Sequence, residues 1–147
     1  GANVFSYFLA LSTIPMQVAT WAANLQVSPY LIHTIIVIIY LFLGCFLDAI
    51  SMMVLTMPVI YPVILALGFN PIWFGVIALK LTEIGAITPP VGLNVYAMKG
   101  VIPREENISL EDIFKGIWPF CLCDIAVLIV LILFPPLSTW LPEVLLG

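Results

Sequence analysis

The sequence predicts an all-α integral membrane protein, a single membrane domain over residues 1–147 with about four to five crossings. Three observations carry that prediction. The composition is 63% hydrophobic and 8% charged with a mean hydropathy of +1.22, against roughly 45–50% and 25% in soluble domains. Apolar runs long enough to span a bilayer follow one another with only short polar breaks. Two of those runs are interrupted by groups that are costly in hydrocarbon: Asp48 in one, and the stretch from Gly85 to Asn94 in the other.

The chain starts at Gly1 inside an apolar run, which suggests a portion of a longer protein lacking its N-terminal part. No basic region ahead of Val4 to Leu11 marks a signal peptide. The net charge of −4 says little, but with four Lys and Arg in all there is no strongly basic surface, and no nucleic acid is expected as a partner. Cys45, Cys121 and Cys123 all lie in apolar segments without metal-ligand or disulfide spacing, and read as small packing residues.

Taken in order, Val4 to Ile14 reads as the end of a membrane helix. After Pro15 the more polar Met16 to Gln26 reads as an interfacial stretch with Trp21 at headgroup level. Ser28-Pro29 has the form of a helix start, Ser as N-cap and Pro at the first helical position. Residues 29–68 are expected to hold a spanning helix, clearest from Pro29 to Leu47, and a re-entrant hairpin. His33, near the start of that helix, reads as a packing or headgroup residue rather than a ligand.

Asp48-Ala49-Ile50-Ser51 is too short for a solvated loop, because hydrophobicity resumes at once from Met52 to Phe69. A carboxylate so placed faces a cavity or a partner, or it caps the next helix. Both readings hold together if the hairpin tip is an N-cap set inside the membrane. Pro58 and Pro62 are expected to make the returning arm irregular.

Gly68-Phe69-Asn70-Pro71 reads as a turn, and residues 71–102 as a broken helix. Gly85 suits a helix end, Thr88 an N-cap, and Pro89 or Pro90 the first turn of a second half-helix running to about Ile102. The unwound part is then Gly85 to Thr88. Free carbonyls there suit a cation and free N–H groups an anion. A Pro-kinked helix without a ligand fits the local pattern equally well. Lys80 and Glu83, three apart, share a face and suit an ion pair. Glu83 also stands half a turn before the break, behind the site, and Asn94 lies one turn inside the second half-helix.

Ser109-Leu110-Glu111-Asp112 resembles a capping box opening an interfacial amphipathic helix over residues 109–118. Lys99, Arg104 and Lys115 make this side cytoplasmic by the positive-inside rule. Residues 119–134 read as the last transmembrane helix, with Asp124 near enough to the interface to stay solvated. Pro135-Pro136 ends it, and Trp140 marks the opposite interface.

These residues resemble the C-terminal part of the large membrane (permease) subunit of TRAP (tripartite ATP-independent periplasmic) transporters. The resemblance rests on Gly44 to Ser51, on Leu55-Thr56-Met57-Pro58-Val59-Ile60-Tyr61-Pro62, on Phe69 to Val76, and on Gly85-Ala86-Ile87-Thr88-Pro89-Pro90-Val91-Gly92-Leu93-Asn94. It covers nearly all of the chain. It implies the second inverted repeat of an elevator-type transporter, with a hairpin around Asp48 to Ser51 and a broken helix around Gly85 to Thr88. Also implied are sodium-coupled uptake of an organic acid, a C4-dicarboxylate or a sialic-acid-like carboxylate, and a bacterial inner-membrane location. The partners implied are a small membrane subunit, a periplasmic substrate-binding protein and the lipid bilayer. Site residues on this footing are Asp48, Ser51, Gly85, Thr88, Pro89, Pro90, Gly92 and Asn94, with Na⁺ near Ser51, Gly85 and Thr88 and no other cofactor. Where the family's hairpin tip often reads Asp-Gly-Thr, this chain has Asp48-Ala49-Ile50-Ser51.

A stand-alone ion-coupled carboxylate symporter would show similar architecture. A non-transporting structural subunit leaves the two interrupted segments unexplained. An intramembrane enzyme is disfavoured, because the chain has no His-Glu-x-x-His motif and no Ser–His pairing at a sensible depth. The isolated chain is expected not to transport.

Overall fold

The computed structural model describes residues 1–103 and 107–146. Arg104, used above to orient the chain, lies outside them together with Glu105 and Glu106. Among the described residues the chain is all-helical: α1 (Ala2–Leu11), α2 (Ile14–Asn24), α3 (Pro29–Gly44), α4 (Ala49–Ala66), α5 (Pro71–Ile87), α6 (Leu93–Val101), α7 (Leu110–Leu133) and α8 (Pro136–Leu146). Two of them, α4 and α7, are long and apolar enough to cross a membrane, and α3 is apolar but has 16 residues. At 1.5 Å per residue α3 covers about 24 Å, short of the roughly 30 Å hydrocarbon layer.

The centre is α5. Trp73, Phe74, Ile77, Ala78, Leu81, Thr82, Ile84 and Gly85 are all buried, with α3, α4 and α7 packed around it. Between apolar helices in lipid the driving force is contact rather than water exclusion, and small residues permit the closest contact. That is the arrangement at Gly44 of α3 and Gly85 of α5, whose backbones touch. One end of the same interface is aromatic. His33 is buried and stacks on Trp73 at 4.9 Å, with Phe69 and Phe74 around it, so it is a packing residue. The outward faces of α3 and α7, including Ile35, Ile38, Phe42, Leu122, Ile129 and Leu133, are exposed and apolar.

Local chemistry explains the ends. Asn70 caps α5 by accepting from the Ile72 and Trp73 N–H groups at 2.8 and 3.3 Å, and Gly68 takes φ +79° to turn the chain into it. Ser109 and Asp112 form the expected capping box: the Asp112 N–H donates to Ser109 Oγ at 3.1 Å and the Ser109 N–H to Asp112 Oδ2 at 2.9 Å.

Two proline expectations need correction. The arm carrying Pro58 and Pro62 is one continuous helix, α4. Pro58 withdraws the N–H that would bond the Val54 carbonyl, and Ser6 of α1 donates its hydroxyl to that carbonyl at 2.6 Å instead. Likewise the segments expected over 109–118 and 119–134 form a single helix, α7, with Pro119 inside it. Proline there removes one backbone bond, which the apolar run continuing beyond it outweighs.

Candidate functional site

The chain breaks between α5 and α6, at residues 88–92 rather than at Gly85 to Thr88. Gly85 is not a helix end but an interior residue of α5. A Cβ there would lie 2.5 Å from the Gly44 carbonyl carbon, so glycine is required by the approach of α3. Thr88 is the C-cap of α5 rather than the N-cap of the next helix: its hydroxyl donates to the Ile84 carbonyl at 2.6 Å and its N–H to the Gly85 carbonyl at 3.1 Å. Pro89 and Pro90 lie in the connection, joined by a cis peptide, and are exposed. Gly92 is the N-cap of α6 at φ +63°, with Phe114 of α7 within 3.1 Å of where a Cβ would be. Asn94 is the second residue of α6 and exposed.

The two helices follow one another along α7. Trp73 Nε1 donates to the Leu131 carbonyl at 2.8 Å, Lys80 Nζ meets Asp124 Oδ1 at 2.7 Å, and Thr88 Oγ1 lies 3.7 Å from Cys121 Sγ. Gly92 then faces Phe114, and Lys99 Nζ donates to the Ile108 carbonyl. Rising numbers on α5 and α6 meet falling numbers on α7. Both halves therefore run in one direction along a single continuous helix, with irregular backbone between them. That arrangement favours two half-helices over a simple kink.

The α3–α4 turn lies level with this break. Gly44 sits on Gly85, and Cys45 Sγ donates to the Pro89 carbonyl at 3.6 Å. Asp48 caps α4, accepting from the Ser51 N–H at 3.0 Å, as one of its two readings requires. It lies in the connection between α3 and α4. Asp48 is exposed and Ser51 half-buried, and among the described residues no hydrogen bond joins either to residues 88–92. Glu83 is exposed and pairs with Lys80 of its own helix at 3.0 Å. Behind the break Leu41, Cys45, Thr88, Pro89, Trp118 and Cys121 line an apolar crevice of about 410 Å³. The sequence reading missed Gly44 and Asp124. Two glycines 41 positions apart carry no local signal, and the partner of Asp124 lies 44 residues upstream.

Discontinuous helices of this kind form the binding sites of many membrane carriers. The comparisons agree. The family described as "Tripartite ATP-independent periplasmic transporter, DctM component" matches residues 1–137, and the chain belongs to that family, one of transporter components and not of enzymes. It is 31% identical over its full length to the sialic acid TRAP transporter large permease protein SiaM of Vibrio cholerae, covering 34% of that protein. It is 30% identical over 98% of its length to the C4-dicarboxylate permease DctM of Rhodobacter capsulatus, covering 32% of it. It is 29% identical over 92% of its length to the 2,3-diketo-L-gulonate permease YiaN of Escherichia coli, covering 31%. The chain thus spans about a third of the length of these relatives.

Proposed function

We propose that this chain is the C-terminal part of a large TRAP permease subunit that moves an organic acid across a bacterial inner membrane with sodium. In this reading it acts with a small membrane subunit and a periplasmic binding protein. The observation that carries it is the pair of half-helices, α5 and α6, running in one direction along α7 with residues 88–92 between them.

The last carbonyls of α5 and the Thr88 hydroxyl are oxygen donors at the negative end of a helix dipole, which suits Na⁺. The first N–H groups of α6 lack intrahelical partners and stand at the positive end of another, which suits a carboxylate. Pairing ion and acid lowers the desolvation cost that a bare anion would pay in the membrane. The turn at Asp48 to Ser51 supplies a second helix start. Because Cys45 meets Pro89 while α6 continues about 14 Å further, that turn stands part-way along the crossing, as a re-entrant hairpin would. The relatives are named for sialic acid, C4-dicarboxylates and 2,3-diketo-L-gulonate, and one at 29% identity for isethionate, a sulfonate, so an organic anion is the common chemistry and a carboxylate its usual form.

Thr88→Ala and Ser51→Ala in the full-length complex should each weaken sodium-dependent uptake in proteoliposomes. Uptake with unchanged sodium dependence in both variants would defeat the assignment.

A further inference from the structure

We propose that Lys80 is a positioning residue: its ion pair with Asp124 sets the register of α5 on α7 and so fixes where the break presents Thr88 and Pro89. The inference rests on the transport reading above. Three ties cross the α5–α7 interface, and each has its own reach. The Trp73–Leu131 bond lies at the far end, and the Thr88–Cys121 contact at 3.7 Å is a weak sulfur contact. Lys80–Asp124, at 2.7 Å, is the only one of the three in which both partners carry charge.

Both charged groups are largely withdrawn from their surroundings, with side-chain exposures of 21% and 29%. Apart from Thr82 and Glu83, the residues flanking them on the two helices are apolar. A charge in such a setting is retained where it has a partner and a task. Glu83 is the lesser partner, at 3.0 Å and 55% exposed, and belongs to the same helix as Lys80, so it places no restraint on α7. Lys80 precedes Thr88 by about two turns of α5, and Asp124 follows Cys121 by about one turn of α7. A slip of α7 by one residue would separate the charges. It would also move the α7 surface, including Phe114 against Gly92, that backs the start of α6. One continuous helix thus supports both half-helices, and the ion pair sets its alignment on the first.

The test uses the full-length complex in proteoliposomes. It reads the half-saturating concentration of a labelled C4-dicarboxylate or sialic acid, whichever the wild type takes up, at fixed driving force and per reconstituted complex. That constant is not moved by a mere loss of folded protein. Lys80→Met and Asp124→Asn should each raise it about tenfold, in the range seen for coupled contacting groups. The swap Lys80→Asp with Asp124→Lys should return it to within about threefold of wild type, since it restores the pair in reverse. Lys115→Met, which breaks the exposed Lys115–Glu111 pair at 3.0 Å on the same helix, should leave it within about twofold. Single variants with wild-type half-saturation would overturn the proposal, as would a swap no better than either single variant. Should the single variants not accumulate, the swap decides: recovery of both accumulation and half-saturation supports the register role, and failure of either overturns it. Wild-type uptake that ignores sodium contradicts the sodium reading and leaves this readout in place.

Discussion

Replacing Gly85 by alanine places a methyl group where the structure has none to spare. Its Cβ would lie 2.5 Å from the Gly44 carbonyl carbon, 2.6 Å from the Gly44 Cα and 2.9 Å from the Cys45 nitrogen. Carbon atoms rest at about 3.5–4.0 Å, so α3 and α5 must part by about 1 Å. All three obstructing atoms are backbone, and no rotamer change relieves them. Overpacking of this kind costs about 1–3 kcal/mol, and two rigid helices in contact place the expectation at the upper end. Gly44→Ala tests the same crossing from the other side, where the nearest atoms are at 3.3 to 3.4 Å and a shift of a few tenths of an ångström suffices. Gly75→Ala is the control on α5: nothing lies within 4 Å of its Cβ position, and alanine favours the helix by up to about 1 kcal/mol. Equilibrium unfolding of the full-length protein in mixed detergent micelles should order them Gly85→Ala least stable, then Gly44→Ala, with Gly75→Ala at or above wild type. Gly85→Ala unfolding together with Gly75→Ala would refute the close-contact reading.

Two further outcomes follow from the same geometry. Ser6→Ala should destabilise α4 by about 1–3 kcal/mol, because it leaves the Val54 carbonyl unpaired; adding Pro58→Ala should recover most of that loss by restoring the helical bond, which a double-mutant cycle in the same unfolding assay would register. Ser109→Ala should cost about 1 kcal/mol and speed hydrogen exchange in the first turn of α7, while leaving the apolar part of the helix unchanged.

The caps at Asp48 and Ser109–Asp112 were legible in the sequence because they are local, each acting within three residues of itself. Asn70, equally local, was read only as part of a turn. The existence of an interruption was legible too, since a run such as Gly-Ala-Ile-Thr-Pro-Pro-Val-Gly has few uses inside an apolar segment. Its position was not. Gly85 has two physical uses, a left-handed helix end or a close helix contact, and only the presence of Gly44 across the interface selects the second. That choice passes the N-cap from Thr88 to Gly92 and leaves Thr88 to close α5. The prolines misled for a similar reason. Whether Pro58 breaks a helix depends on what becomes of the Val54 carbonyl, and Ser6 answers from 48 residues away. Asp124 read as solvated until Lys80 was placed beside it. In each case the deciding group was distant in sequence.

The most direct test of the central claim is uptake of labelled organic acids by proteoliposomes holding the full-length membrane complex, with and without a sodium gradient and with and without the cognate binding protein. The account predicts uptake only when both are present. Uptake driven by sodium without the binding protein would contradict the tripartite reading, and uptake indifferent to sodium would contradict the coupling assigned to the break between α5 and α6.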